Sequence, residues 1–411
     1  MEELTTTCCV AGGGPAGIML GVLLARAGID VVVLEKHADF LRDFRGDTIH
    51  PSTLELLGEL GWLDGLLALP HRKARRLRVR SGDEEVVVAD FSRLPTTARY
   101  IAFLPQWDFL DFLAAKGAAY QGFHLRMGAE VTELLSDDGQ VTGVGARTPQ
   151  GTLRVRAELV VAADGRSSTV RRLAGLPVRE LGAPMDVLWF RLRRVPTDPS
   201  EPLGHFEPGQ LFIMIDRGEV WQCGRVIAKG SLATLRAEGL DAFRAEVAAM
   251  APFVADRVDE LRSWDDVKLL TVRVDRLATW YRPGVLCIGD AAHAMSPIGG
   301  VGINLAVQDA VAAANLLAGP LREGGVDTRD LHRVQRRREL PARLTQAFQV
   351  QAQERALGPL LRGQVPSGLP LPLRLLGRFP ALAHIPGRLL GLGVRPEHVR
   401  TPAAVGVRRP G

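Results

Sequence analysis

Residues 6–35 read TTCCVAGGGPAGIMLGVLLARAGIDVVVLE. A short apolar run, Thr6–Ala11, leads into Gly12-Gly13-Gly14-Pro15-Ala16-Gly17. The stretch from Pro15 to Ala27 is helical in character, and Gly28 is placed to end it in the left-handed conformation. Ile29–Leu34 is a continuous β-branched run, as expected of a strand buried on both faces of a parallel sheet. The whole is a strand–helix–strand crossover. Within it, Gly12-x-Gly14-x-x-Gly17 has the spacing of the dinucleotide fingerprint in its required context. Gly12 allows the tight turn, Gly14 lets a pyrophosphate reach the backbone, and Gly17 permits close helix–strand packing. The pyrophosphate would rest on the helix start at Ala16, where free N–H groups and the dipole favour an anion. Glu35 ends the second strand 23 residues after Gly12, where an acid can take a ribose hydroxyl. Lys36 follows it in the same candidate set.

Around this unit the chain runs to 411 residues, with 46% hydrophobic and 24% charged residues. A single core stops growing at roughly 250–300 residues, so two domains are expected. The composition excludes a disordered, collagen-like or disulfide-stapled chain. The formal charge of +5 is local: residues 355–411 hold nine Arg and one Glu, which leaves the rest at −3. It is no footprint for a nucleic acid. Four cysteines, Cys8, Cys9, Cys223 and Cys287, show no zinc spacing and no disulfide framework, so no metal site is expected. The N-terminus has no basic region before its apolar stretch, and no uncharged run reaches about 18 residues. Neither a signal peptide nor a membrane span is expected, and the default location is the cytoplasm.

Farther along, Pro51–Leu60 and Trp107–Tyr120 read as amphipathic helices. Residues 124–164 look like a meander with turns at Asp137-Asp138-Gly139 and Pro149-Gln150-Gly151, leading to Thr152–Arg156 and the buried run Leu159–Ala163. Alternation from about 185 to 230 suggests an antiparallel sheet, followed by a helix from about Leu235 to Met250. A long polar-faced helix is expected over Leu331–Leu357, with Pro341 as a kink.

Two downstream segments choose among dinucleotides. Leu159–Ala163 ends in Asp164-Gly165, with Ser168 and Val170-Arg171 after it. Far downstream, the strand Val285–Ile288 runs into Gly289-Asp290-Ala291-Ala292-His293 and then Pro297-Ile298-Gly299-Gly300-Val301-Gly302-Ile303-Asn304. Together with the fingerprint, these segments resemble the flavoprotein monooxygenases of the para-hydroxybenzoate hydroxylase type, the single-component FAD-dependent aromatic hydroxylases. The similarity spans roughly residues 5–345.

The resemblance implies roles. Asp164-Gly165 would lie near both FAD and the path of the nicotinamide, and Asp290 would bind the ribityl chain. Arg45 falls where the family places an arginine on the FAD phosphates, which suits a guanidinium's several donors. Gln106 falls where relatives carry Gln or Arg against the flavin side chain. The loop over Gly299, Gly300, Val301, Gly302 and Asn304 opens a helix whose N–H groups can face the flavin edge that turns anionic on reduction. Val301 departs from relatives that are polar or basic there. The implied cycle is reduction of FAD by NADPH or NADH, then O2 addition to a C4a-hydroperoxide that passes one oxygen to an electron-rich substrate.

Other candidates are weaker. His50, before Pro51, and Pro297 are the candidate catalytic positions, with a structural role for His50 as the blander alternative. His293 packs near its loop as readily as it acts. In the sheet, Phe212 and Met214 share one face and Leu211, Ile213 and Ile215 the other, and alternation leaves open which face meets the flavin. None of Tyr100, Tyr120 and Tyr281 sits in a matching motif. His71–Arg80 reads as a strand with one solvated basic face. The tail covers a hydrophobic surface of its own protein, with peripheral membrane contact as the alternative.

The expected architecture is α/β: a Rossmann-like FAD-binding domain over 1–75, 105–178 and 282–345, interleaved with a substrate domain on a mixed or antiparallel sheet over 76–104 and 179–281. Residues 346–411 form a helical C-terminal extension. The expected activity is NAD(P)H- and O2-dependent hydroxylation of an aromatic or polycyclic small molecule. The alternatives are another outcome on the same scaffold (epoxidation, drug inactivation, isoprenoid reduction) or a non-catalytic flavin-binding protein. Halogenation is disfavoured because the Trp-x-Trp-x-Ile-Pro signature is absent.

Overall fold

A computed structural model describes residues 2–41, 48–81, 84–199, 203–207, 209–361 and 371–404. The apolar run of the crossover becomes the strand Glu2–Ala11, with Val31–Glu35 parallel on one side and Gly151–Ala162 parallel on the other. Val285–Cys287 extends the sheet beyond Gly151–Ala162, and Phe123–Met127 extends it beyond Val31–Glu35. The hairpin Glu130–Asp137 and Gln140–Thr148 is added antiparallel to Gly151–Ala162. Helices Pro15–Arg26 and Gly302–Glu323 pack together over the sheet, which explains why its central strands are apolar without alternation. The three motif loops therefore emerge from the carboxyl ends of adjacent parallel strands.

The second sheet runs Lys268–Leu270, Met185–Arg193, Val220–Ala228, Gln210–Asp216, Leu203–Glu207, Arg76–Ser81 and Glu84–Asp90. The basic strand finds acidic partners on its neighbour, with Arg76 on Asp90 and Arg78 and Arg80 on Glu85, as expected of a solvated face. One side of this sheet, with Leu188, Phe190, Phe212, Met214 and Trp221, packs on the helix Leu240–Met250 and the turn after it. The other side carries Val187, Trp189, Leu211 and Val226.

Several expected elements differ. Thr152–Arg156 and Leu159–Ala162 are one twelve-residue strand, because Ala157 continues the ladder on Glu2–Ala11. The helix expected over 235–250 is two, Leu232–Glu238 and Leu240–Met250, broken where Gly239 takes φ +95°. Pro341 sits inside the helix Thr328–Ala352 without ending it. The helix Gly302–Glu323 is long and apolar enough to cross a membrane by composition, but it is mostly buried as a core helix.

The extension packs on the body along one face. Gly377 approaches Val86, and Gly387 lies directly on the backbone of Asp90. Beyond the helix His384–Leu392 the chain is pinned on four sides. Glu397 meets Arg337 and Arg338, Asn315 holds the backbone of His398, Arg400 and Thr401, Glu59 accepts from Val399, and Arg26 reaches the Thr401 carbonyl.

Candidate active site

The glycine loop shows why each small residue is there. Gly12 takes φ +109°, and a side chain on it would strike the Ala163 carbonyl. A side chain on Gly17 would strike the Gly12 carbonyl, so helix and strand could not approach. Gly14, by contrast, faces open space, at a helix start with Pro15 in the first turn and no side-chain cap. The amides of Ala16 and Gly17 belong to that uncapped turn. Glu35 is buried and accepts from the Gly13 amide at 2.9 Å and the His37 amide at 3.0 Å. Gly13 escaped the sequence reading, although a side chain there would collide with Glu35. Lys36 is exposed beside it.

Asp164 follows the strand Gly151–Ala162 next to this loop. Its Oδ2 accepts from the Val170 amide at 3.1 Å, while its Oδ1 is buried without a protein partner. Burial pushes its carboxyl above the ordinary range, against the hydrogen bonds from Ser168 and neighbouring amides. Gly165 beside it is open. Asp290, in the third motif, is reached by Arg166 at 3.4 Å. Arg171 binds both oxygens of Asp275 and the Ala291 carbonyl, joining the second motif to the third. Gln106 is the first residue of the helix Gln106–Gly117, and Arg45 lies outside the described residues.

The loop Pro297–Val301 is a short turn in which Gly299 and Gly300 take φ +77° and +63°. Pro297 accepts from the Gly300 amide and offers no titratable group. Val301 is buried, and Gly302 opens the 22-residue helix with free space above it. The Asn304 side chain is engaged by the protein itself. Its Oδ1 accepts from the His50 amide and the Thr53 hydroxyl, and its Nδ2 donates to the carbonyls of Thr48 and Gly300. It latches segment 48–53 to the loop.

His50 is wholly buried behind that latch, its Nδ1–H donating to the Leu390 carbonyl of the extension at 2.7 Å. Burial lowers its pKa to about 4, so the ring is neutral, with Nε2 a buried lone pair without a protein partner. His293 lies against Trp280 and bonds Asp309 through Nε2 at 2.6 Å, which makes it a positioning group. Asp309 also accepts from the Gly289 amide and from Arg338, which reaches Glu397.

The helix Thr328–Ala352 and the turn after it clamp the same segment. Gln346 holds the carbonyls of Asp275 and Ala294, Gln349 holds Ser296 on both sides and the Ile298 carbonyl, and Gln353 holds the Ser296 hydroxyl. Sequence reasoning missed these three and Asp309. Their signal was polar residues at core spacing: glutamines three and four apart, and one acid inside an apolar helix. Gln349→Ala leaves three backbone groups without partners, so a loss of about 1–3 kcal/mol is expected in denaturant unfolding. The Gln349→Glu variant, which sets a carboxylate oxygen against the Ser296 and Ile298 carbonyls in a buried position, should lose at least as much.

The apolar sheet face stands opposite. Val187, Leu211 and Val226 pack with Ile298 of the loop and with Leu357 and Leu360 of the extension. Trp189 lies across Gly224, where a Cβ would sit 2.9 Å from its ring. An open anion cradle, an orphaned carboxylate oxygen and an uncapped helix start fit a dinucleotide.

Comparison with known proteins agrees. Residues 5–347 match the family described as FAD binding domain. The 6-methylpretetramide 4-monooxygenase of Streptomyces rimosus is 34% identical, over 93% of this chain and 92% of that protein. Among solved structures, anhydrotetracycline hydroxylase from Streptomyces rimosus matches with a TM-score of 0.71 and 25% identity, over 96% of this chain and 77% of that one. The p-nitrophenol 4-monooxygenase of Pseudomonas putida matches the fold with a TM-score of 0.75 at 23% identity, over 95% of each chain.

Proposed function

The chain belongs to the FAD binding domain family, and from that premise we propose that it hydroxylates a planar, fused-ring phenolic substrate held between the loop Pro297–Gly302 and the sheet face bearing Trp189 and Leu211. It is an FAD-dependent monooxygenase that uses NAD(P)H and O2 on an aromatic or polycyclic small molecule. The observation that carries the finer reading is Trp189 lying across Gly224, on the sheet face whose apolar residues pack with Ile298 of the loop. The fused-ring substrate named for the Streptomyces rimosus relative supports it. Four buried free cysteines suit action in the cytoplasm.

Bound FAD supplies the electron-carrying ring that accepts hydride and activates oxygen. This chain supplies placement. Gly14 and the helix start at Ala16 and Gly17 take the pyrophosphate, with Arg45 as the further phosphate ligand. Glu35 takes the ribose hydroxyls, flanked by Lys36. Asp290, steadied by Arg166, takes the ribityl hydroxyls, and the orphaned oxygen of Asp164, beside Gly165, is a further acceptor for the cofactor. Gln106, at the head of its helix, takes the flavin side chain. The amides of Val301 and Gly302, at the start of a 22-residue helix, present the positive end of its dipole where negative charge develops. Leu357 and Leu360 close the apolar face and keep water from it. The segments carrying these residues, within 1–75, 105–178 and 282–345, make up the FAD-binding domain. Residues 76–104 and 179–281 make up the substrate domain.

The test is turnover. The purified yellow protein should oxidise NAD(P)H with oxygen uptake and return a fused-ring phenol, such as 6-methylpretetramide, heavier by one oxygen atom. Monocyclic phenols turned over equally well, with Trp189→Ala making no difference, would sink the fused-ring reading. Separately, Asp290→Ala should weaken FAD retention about 10–100-fold, the worth of one charged hydrogen bond, read by recovery of flavin fluorescence on dilution.

A further inference from the structure

Two of the most exposed large apolar side chains among the described residues lie in the C-terminal extension: Ile385 at 68% and Phe379 at 54%. Leu375, Leu382 and Leu389 are each more than one-third exposed and complete a row with them. The row advances by four, three, three and four residues, so one apolar stripe continues from the helix Leu371–Arg378 through the turn Pro380–Ala383 into the helix His384–Leu392. All three elements pack on the strand Glu84–Asp90, and the inward positions are the small ones: Gly377 on Val86, Gly387 on Asp90, Gly391 on Leu94. The stripe therefore faces away from that strand, and only its last member, Leu389, also borders the body. Leu340, Leu344 and Phe348, also more than one-third exposed, add a second row on the helix Thr328–Ala352, where Phe348 and Leu389 line one cleft.

The charges beside the stripe are of one sign. Arg374, Arg378 and Arg388, all exposed, each precede a stripe residue, and no acidic residue occurs from Leu371 to Leu392. Arginine stems can lie along an apolar surface while the guanidinium reaches the headgroup layer. A second copy of this chain docked through the same face would set arginine against arginine, because a two-fold contact repeats one patch on both partners. A surface that is apolar to some depth and anionic at its rim complements both features.

We propose that this face docks on an anionic lipid bilayer, with Leu375, Phe379, Leu382, Ile385 and Leu389 entering the interface and the three arginines on the headgroups. The body stays in water, and the docking is reversible and salt-sensitive. The inference rests on the extension alone and is independent of the substrate.

Co-sedimentation of the FAD-loaded full chain with vesicles provides the test. The protein should bind phosphatidylcholine vesicles mixed with phosphatidylglycerol, bind phosphatidylcholine alone far less, and come off as salt rises. Ile385→Ser should weaken partitioning roughly tenfold, the share of one buried aliphatic side chain. Replacing Arg374, Arg378 and Arg388 together by glutamine should weaken it roughly a hundredfold, at about fivefold for each basic residue. Flavin absorbance of each variant checks that it is folded. In a second measurement, Ile385→Cys carrying an environment-sensitive dye should brighten and shift to the blue on the anionic vesicles. Absence of vesicle binding by the FAD-loaded chain, or binding unchanged by both substitutions, would overturn the proposal. So would a lipid-free dimer that Ile385→Ser dissociates, since the face would then belong to a second copy.

Discussion

An Asp309→Ala protein should be about 3–5 kcal/mol less stable than the parent, the usual cost of breaking a buried ion pair from one side. The carboxylate is wholly buried and bonds the Gly289 amide, His293 Nε2 and Arg338 Nε at 2.6–3.0 Å. Burial pushes this carboxyl up, but His293 and Arg338 outweigh burial and hold it below the ordinary carboxylate range. Its stabilisation is therefore complete above the unfolded value near pH 4 and is lost as pH falls below it. The loss reaches the site directly, because Gly289 and Asp290 are adjacent and the acid fixes the start of that turn. Denaturant unfolding with saturating FAD gives the magnitude, and FAD release should rise in parallel. Asp309→Asn, which keeps an acceptor for Gly289, should recover part of the loss. A change under about 1 kcal/mol for the alanine variant would mean that Glu397 alone compensates Arg338.

The second large effect concerns acid. His50 is neutral when folded with a pKa of about 4, against 6.5 for the free side chain. Protons therefore bind the unfolded chain first, and the sign is fixed. Stability is full above pH 6.5 and falls progressively as pH drops toward 4, by about 3 kcal/mol. This window lies above the one in which Asp309 is lost, so the two separate in a pH series. His50→Asn keeps a donor for the Leu390 carbonyl and removes the titration. The difference in unfolding free energy between parent and variant should shrink steadily from pH 6.5 to 4. A difference independent of pH would show that the imidazole is not buried neutral. Because Leu390 belongs to the extension and Asn304 to the flavin-loop helix, acid should also loosen the tail, visible as faster proteolysis near residue 390.

Much of the cofactor cradle could be read from short spans. Gly12, Gly14 and Gly17 each answer to a constraint set within a few residues: a turn with positive φ, an open approach, a helix crossing a strand. Asp164 and Asp290 were legible because each follows closely on the apolar end of a strand of the parallel sheet. What holds those loops was not legible. Asp309, Arg338 and Glu397 are far apart in the chain, and nothing near Glu397 says that it will balance an arginine on the helix Thr328–Ala352. Asn304 shows the same limit from the other side. Its place in the motif marks it for the flavin, and only packing shows that its side-chain amide bonds Thr48, His50, Thr53 and Gly300.

The sheet faces show the division most clearly. Alternation in Gln210–Asp216 separates Phe212 and Met214 from Leu211 and Ile213, and that much is local geometry. Whether a face meets a helix or a cofactor depends on what arrives from elsewhere. Here the helix Leu240–Met250 covers Phe212 and Met214, so Leu211 is left to Ile298 and the site. The tail follows the same rule: its Leu, Gly and Arg content is consistent with packing and with lipid contact alike. The inward position of Gly387 and Gly391 decides that one face packs and the other is exposed. By itself the sequence determined the crossover and the three motif loops, because backbone turns and strand ends are encoded within a few residues, and the resemblance those loops carry gave the cofactor class. Tertiary structure alone decided which sheet face the helix covers, what clamps the loops and which side of the tail meets solvent, because each depends on groups distant in sequence and adjacent in space.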